Sequence, residues 1–266
     1  MITPDKKLHL WMAGPTGSGK TALISTLGRV LEQQTNRPAI KYEELDPSLN
    51  IYFNGFYQAL VSGIKPNPFA QVSQDEFARH AALQSMLARR DLRRGYHVIE
   101  GGSMVNHVPY EINLKKDGHL ENPEENYLKY WQFVLKTFQK APVPHALIIT
   151  MFNDDQETEG VDIQMERIKE RAKHDPTRKG EVDVPREYWE QQIKYYERLI
   201  QLGTAIPLDK VPDELRAEFE KPELSGMVRP PIIVLDAKQI DWRTEIGAQV
   251  GLAYIYQHLE GLKVAS

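Results

Sequence analysis

The chain reads as one α/β domain: a five-stranded parallel sheet with helices on both faces. Three observations predict this. Five short apolar runs, at Leu8–Ala13, Ala39–Tyr42, His97–Glu100, Ala146–Met151 and Pro231–Leu235, have the length and content of buried strands. Amphipathic helical segments separate them, and strands that alternate with helices pair in parallel because each return crosses a face of the sheet. Between the first run and the first helical segment stands Gly14-Pro15-Thr16-Gly17-Ser18-Gly19-Lys20-Thr21, the pattern G-x-x-x-x-G-K-[S/T] in its strand–loop–helix setting.

That octapeptide is the most informative segment. Its glycines let successive backbone N–H groups curl toward a phosphate, and the N-terminus of the following helix adds partial positive charge. Gly14, Pro15, Thr16, Gly17, Ser18, Gly19, Lys20 and Thr21 are therefore read as a nucleoside triphosphate site. Lys20 reaches the β- and γ-phosphates, and the Thr21 hydroxyl ligates Mg²⁺.

Helix punctuation follows in chain order. Ser73 with Glu76 forms a capping-box pattern opening a helix to about Arg93. Asn122-Pro123-Glu124-Glu125 opens another to about Lys140, and Asp183-Val184-Pro185 opens Arg186–Leu202. The stretch 203–229, rich in Pro and charge, reads as an insertion or flap. In open parallel sheets ligands sit at the carboxyl ends of the strands. The polar groups there are the glycine loop, then Glu43 and Glu44, then Glu100-Gly101-Gly102-Ser103, then Asn153, Asp154 and Asp155, and last Asp236. An acid closing an apolar strand, as Glu100 does, suits a Mg²⁺ ligand.

Composition sets the bounds. The chain has 266 residues, 41% hydrophobic and 26% charged, without a Gly/Ser/Pro-rich linker, which favours one domain over 1–266. A net charge of −4 argues against a partner that is a nucleic-acid polymer. No apolar run has the length of a membrane span, and Met1–Lys7 lacks the apolar core of a signal sequence, so a cytoplasmic protein with no membrane partner is expected. Cysteine is absent, which excludes disulfide and thiolate chemistry.

With these pieces in order the chain resembles the deoxynucleoside kinase family nearly end to end, through one strong motif and several weaker ones. Tyr42-Glu43-Glu44-Leu45-Asp46 is similar to that family's Tyr-Glu-Pro-Val segment. Ala81–Arg90 looks like its helix with a base-reading Gln, here Gln84. Arg167-Ile168-Lys169-Glu170-Arg171 looks like its arginine-bearing lid helix, Pro185-Arg186-Glu187-Tyr188-Trp189 like its Pro-x-Glu-Tyr helix start, and Ile232–Ala237 like its last strand, with Asp236 beside the adenine of ATP. The resemblance implies a three-layer P-loop kinase fold, ATP and Mg²⁺, a nucleoside or nucleotide substrate, and a homodimer. It also implies that Glu43 is the general base, that Arg167 and Arg171 belong to a lid at about 167–184, and that Glu181 bonds the sugar 3′-hydroxyl. The chain departs from the family in having Gly101-Gly102-Ser103 where an arginine usually follows the strand-end acid, and in a longer lid containing Arg178.

The residues carry their own chemistry beside that likeness. Arg167 and Arg171 are one helical turn apart and share a face that could clamp phosphate oxygens. Phe77, Ala81, Gln84, Ala88 and Asp91 fall on one helical stripe, a floor for a flat base with an aromatic ring, room, and two hydrogen-bonding groups. Gln84 both donates and accepts whereas Asp91 only accepts, a pairing that favours bases with an exocyclic amine. Tyr57 is a further candidate substrate contact, and His107 could approach the base. Adjacent residues on a strand face opposite ways, so only one of Glu43 and Glu44 meets the site, and Glu43 is the one expected. Pro176 and Gly180 predict a flexible connection in the lid. The leading expectation is phosphorylation of a deoxynucleoside 5′-hydroxyl. The alternatives are a deoxynucleoside monophosphate kinase and a nucleotide-binding protein without catalysis.

Overall fold

The computed structural model describes residues 7–46, 49–101, 118–120, 145–152, 159–201, 231–238 and 240–264. The expected helix 122–140, Gly102, Ser103, His107, Asn153–Asp155 and the stretch 203–229 lie outside them. The elements are β1 (His9–Ala13), α1 (Lys20–Thr35), β2 (Ala39–Tyr42), α2 (Phe53–Val61), α3 (Ala70–Arg93), β3 (His97–Glu100), β4 (His145–Met151), α4 (Glu159–His174), a 3₁₀ turn (Pro176–Glu181), α5 (Arg186–Gln201), β5 (Ile232–Asp236) and α6 (Glu245–Val264).

All five expected strands form, within a residue of their expected ends, and every pairing is parallel in the order β2-β3-β1-β4-β5. Neighbours of β1 are reached by crossovers in opposite directions, which opens a crevice at the carboxyl ends of the central strands. Strand alternation distributes the helices. Tyr42 points to α3, where its hydroxyl donates to Asp91 at 2.6 Å. Its neighbour Lys41 points the other way and lies against Gly28 of α1. α6 packs along α1, so α1 and α6 layer one face and α3 the other. The core of the sheet is apolar: Leu10, Met12, Ile99, Leu147, Ile148 and Ile149 are fully enclosed. Burying such side chains on both faces of a sheet is the main source of stability, about 1.5–3 kcal/mol each.

The helix that Ser73 was expected to cap begins four residues earlier than that pattern suggests, at Ala70. Asn67 caps it instead, accepting from Phe69 N at 3.0 Å through its side chain and from Ala70 N at 3.1 Å through its carbonyl. Ser73 thus lies inside the helix, buried. The stripe Phe77, Ala81, Gln84, Ala88 and Asp91 is the buried face, whereas Leu83 and Met86 are 54% and 69% exposed. Helices α2 and α6, which the sequence did not announce, complete the layers.

Glu100 is a correction. The side chain does not reach the crevice as a metal ligand; it points to α3 with its strand neighbours' same-face residues and is 0% exposed. One carboxylate oxygen accepts from Trp11 Nε1 at 2.8 Å and pairs with His9 Nε2, and the other accepts from Ser85 Oγ at 2.8 Å. A strand-end acid meets a ligand only if the alternation sends it to the open side, and here it is sent to the core. Removing it would strand buried donors. We therefore expect Glu100→Ala to lose about 3 kcal/mol in urea unfolding while still binding nucleotide. A variant as stable as the parent would refute this network as a structural support.

Candidate active site

The glycine loop is shaped by what it must pass. Gly14 has φ +143°, and a Cβ there would meet the Thr150 carbonyl oxygen at 2.4 Å, so only glycine lets the chain turn off β1 against β4. Two hydrogen bonds then hold the loop. Ser18 Oγ and Thr150 Oγ1 share a proton at 2.6 Å, and Thr16 N donates to Gln192 Oε1 of α5 at 2.8 Å. Gln192 also accepts from Gln164 Nε2 of α4 at 2.9 Å, tying the loop to the helix expected to carry the lid. Gly19, in the left-handed conformation with φ +87°, starts α1 beside Trp242.

Lys20 Nζ donates to the carbonyls of Gly14 at 2.7 Å and Pro15 at 3.2 Å, so the ammonium arches over the loop. Burial pulls its pKa down from 10.5 to about 8; Arg171 and Arg178 push the same way, against Glu44 and Glu181. Five cations, Lys20, Arg167, Arg171, Arg178 and Arg243, face two carboxylates, Glu44 and Glu181, an excess of positive charge that suits a phosphate.

Two cavities meet at this loop. The first, of about 390 Å³, is bounded by the loop and Thr21, by Glu44, by Phe53, Phe56, Tyr57 and Phe77, by Ser73 and Gln74, and by Arg167, Arg171, Arg178 and Glu181. The second, of about 520 Å³, runs between α4 and the loop after β5 from Ala237 to Arg243. Phe53, Tyr57 and Phe77 form an edge-to-face aromatic floor with ring centroids 4.8 and 5.8 Å apart. Arg167 donates to Gly17 O at 3.2 Å and Ala237 O at 3.0 Å, and lies 5.2 Å over the Phe152 ring. Burial lowers its pKa, with Arg243 nearby acting in the same sense. Glu181, 2% exposed, sits between Arg171 and Arg178; Arg178 Nη1 reaches it at 2.9 Å.

Of the residues expected from the sequence, the structure thus brings together the loop, Lys20, Thr21, Tyr57, Phe77, Arg167, Arg171 and Glu181. Four more go elsewhere. Glu44, not Glu43, faces the first cavity: β2 ends at Tyr42, and Gln84 Nε2 binds the Glu43 carbonyl, so the alternation counted from the strand is one residue out. Gln84 is spent on that carbonyl and borders neither cavity; Gln74, nearer the start of α3, takes the position the base-reading amide was given. Asp91 lies 14 residues beyond Phe77 on the helix, about 21 Å away, where it binds Tyr42, Arg90 at 3.1 Å and Arg94 at 3.6 Å. Asp236 turns back to accept from Lys238 N at 2.8 Å, and the residues after it line the second cavity instead. The lid connection is also firmer than expected, because Asp175 caps the 3₁₀ turn through Thr177 N at 3.1 Å and Oγ1 at 2.5 Å. Gln74 was missed, Glu44 was named but not preferred, and Arg243 was missed. Only the first two had a usable signal, each a residue of the right type near the one chosen.

This geometry defines a P-loop α/β fold with a two-part ligand crevice. No protein-family model matches the chain, and no curated protein does. Among solved structures it is similar to deoxyadenosine kinase from M.mycoides with bound dATP, at 16% identity and a TM-score of 0.54, over 93% of this chain and 99% of that one. The chain has the fold of the deoxynucleoside-kinase-like P-loop kinases. No helix of the described residues is long and apolar enough to cross a membrane.

The lowered Lys20 pKa has a sign that can be tested. Its folded value lies below its unfolded one, so this group's contribution to stability rises with pH between about 8 and 10.5 and is lost as pH falls through about 8. A bound polyphosphate reverses the shift, so binding takes up protons and weakens as pH rises above about 8. Calorimetry of ATP binding at about pH 8.5, in two buffers of different ionisation enthalpy, should show uptake of up to about one proton, absent in Lys20→Ala. Uptake unchanged in that variant would refute the assignment.

Proposed function

We propose that the chain transfers the γ-phosphate of ATP to the 5′-hydroxyl of a deoxynucleoside. One observation carries this reading: a single cavity joins the phosphate loop and Lys20, a carboxylate at Glu44, four arginines, and an aromatic floor with a buried amide at Gln74. Phosphoryl transfer needs positioning and positive charge more than covalent help, and that is what these groups offer. In the proposed reaction Glu44 accepts the 5′-hydroxyl proton, the oxygen forms a bond to the γ-phosphorus, and the bond to the β-phosphate oxygen breaks to release ADP. Lys20, Arg167 and Arg171 hold the oxygens that carry the spread charge, and the segment 159–181 encloses them. The Mg²⁺ that the fold implies would neutralise the β- and γ-phosphates. The Thr21 hydroxyl fits it as ligand, and no cluster of three or more His, Asp or Glu among the described residues offers an all-protein site.

The sugar and base are placed by the same walls. Tyr57 and Glu181 suit the sugar, and Phe53, Phe77 and Gln74 suit a flat base. With Asp91 outside the cavity the preference for amino-bearing bases loses its ground, since an amide that can rotate serves either polarity of base edge. A second reading, a monophosphate kinase, is favoured by Arg178, which joins Arg171 in the same cavity as a second anion contact. Assaying ADP release on deoxynucleosides and on their monophosphates side by side separates the two. Binding of ATP without turnover on either panel would leave only a nucleotide-binding role.

Glu44→Gln should reduce kcat by ~10²–10⁴ with ATP binding unchanged, and Glu43→Gln should stay near the parent enzyme. The opposite pattern would restore Glu43 as the base. Gln74→Ala should raise the nucleoside KM without moving that of ATP, whereas Gln84→Ala should act on stability.

A further inference from the structure

The two cavities share a wall made by Gly17, Gly19, Ala22, Arg167, Arg171 and Arg243. A group that passes from a nucleotide in one cavity to an acceptor in the other crosses this wall. Two of its arginines stand on α4. Arg243 comes from elsewhere, the loop between β5 and α6, and no motif in the sequence points to it. Building on the reading of the glycine loop as a triphosphate site, we infer that Arg243 is a phosphate-contacting residue, held by Asp241 in the free protein and transferred to the polyphosphate when nucleotide binds.

The backbone beneath Arg243 is held by packing and hydrogen bonds while its side chain is exposed. Trp242 is 3% exposed, abuts Gly19 and Gly251, and accepts from Thr26 Oγ1 at 2.7 Å through its carbonyl. On the other side Thr244 caps α6, its hydroxyl donating to Asp241 O at 2.8 Å and accepting from Gly247 N at 3.0 Å. The Arg243 guanidinium, by contrast, is 81% exposed and paired with Asp241, through Nε at 2.8 Å and Nη2 at 3.0 Å. An exposed pair of this kind contributes little and exchanges readily. A phosphate offers the same two-oxygen geometry with more charge. Arg243 is also near enough to Arg167 for their charges to oppose each other, and an anion lodged between them would relieve that repulsion. An anchored base with an exposed cationic tip, at the boundary of two cavities, is placed to engage a group that passes between them.

The test compares Arg243→Ala, Arg243→Lys and Lys20→Ala with the parent protein, using calorimetric binding of ATP, tripolyphosphate and AMP in the presence of magnesium. Arg243→Ala should weaken ATP and tripolyphosphate by ~10-fold, leave AMP and the melting temperature unchanged, and be partly rescued by lysine, which keeps the charge but not the fork. ATP and tripolyphosphate binding within about two-fold of the parent in Arg243→Ala, while Lys20→Ala loses both, would overturn this inference and leave the triphosphate site standing. Failure of the parent protein itself to bind ATP or tripolyphosphate would overturn both. Weakening of AMP to the same degree would also overturn it, since that would mark a general effect on the loop.

Discussion

Everything in the crevice depends on the passage of Gly14 against Thr150. The chain leaves β1 through a gap that a single methyl group would close, and the loop that follows is pinned on the far side by the Ser18–Thr150 hydrogen bond. β4 therefore acts as a template for the loop as well as a strand of the sheet. The same anchoring extends outward: Thr16 N is held by Gln192, and Gln192 by Gln164. Loop, α4 and α5 are joined by a buried chain of amides, so the helix bearing Arg167 and Arg171 is registered to the phosphate site by hydrogen bonds rather than by loop length. Strain or misplacement at Gly14 would propagate to both arginines.

Charge balance explains why the free protein tolerates such a site. Lys20, Arg167, Arg171, Arg178 and Arg243 all border the first cavity, against the carboxylates Glu44 and Glu181. A buried cation without a partner is costly, and each of these groups, including the exposed Arg243, has a resting partner. Lys20 rests on carbonyls of its own loop, Arg167 on those of Gly17 and Ala237, Arg171 and Arg178 on Glu181, and Arg243 on Asp241. Carbonyls neutralise less than phosphates do, and burial first, with neighbouring arginines adding to it, holds the pKa values of Lys20 and Arg167 down. Binding energy is thus stored as unfinished electrostatics, to be recovered when an anion arrives.

The sheet was legible because five apolar runs of four to seven residues leave few alternatives once helices separate them, and the loop because its glycines have a fixed purpose. Positions at element ends were harder to read. Glu43 and Glu44 differ by one residue, and the deciding fact is where β2 stops, which Gln84 controls from 41 residues away. The α3 stripe was correct as a face, yet periodicity says nothing about which end of a 24-residue helix approaches the ligand. Gln74 and Phe77 approach it, and Gln84 and Asp91 are carried along the same face into the sheet. Glu100 failed for the complementary reason, since strand position was right and strand face was not.

The capped 3₁₀ turn changes what a lid can be here. Pro176 and Gly180 suggested a loose hinge, but Asp175 closes the turn, Glu181 is buried between two arginines, and Gly180 rests on Tyr57 of α2. At the other end Gln164 fixes the start of α4 to the loop. These contacts leave the side chains of Arg167 and Arg171 as the groups that could rearrange over the phosphates. Arg171 is paired with Glu181, the acid that is also the group proposed for the sugar. Were the sugar to bind Glu181 as proposed, it would loosen the hold of that carboxylate on Arg171 and release the guanidinium toward the phosphates. The pair would then couple occupancy of the acceptor position to completion of the charge clamp, which disfavours transfer to water before the acceptor is in place.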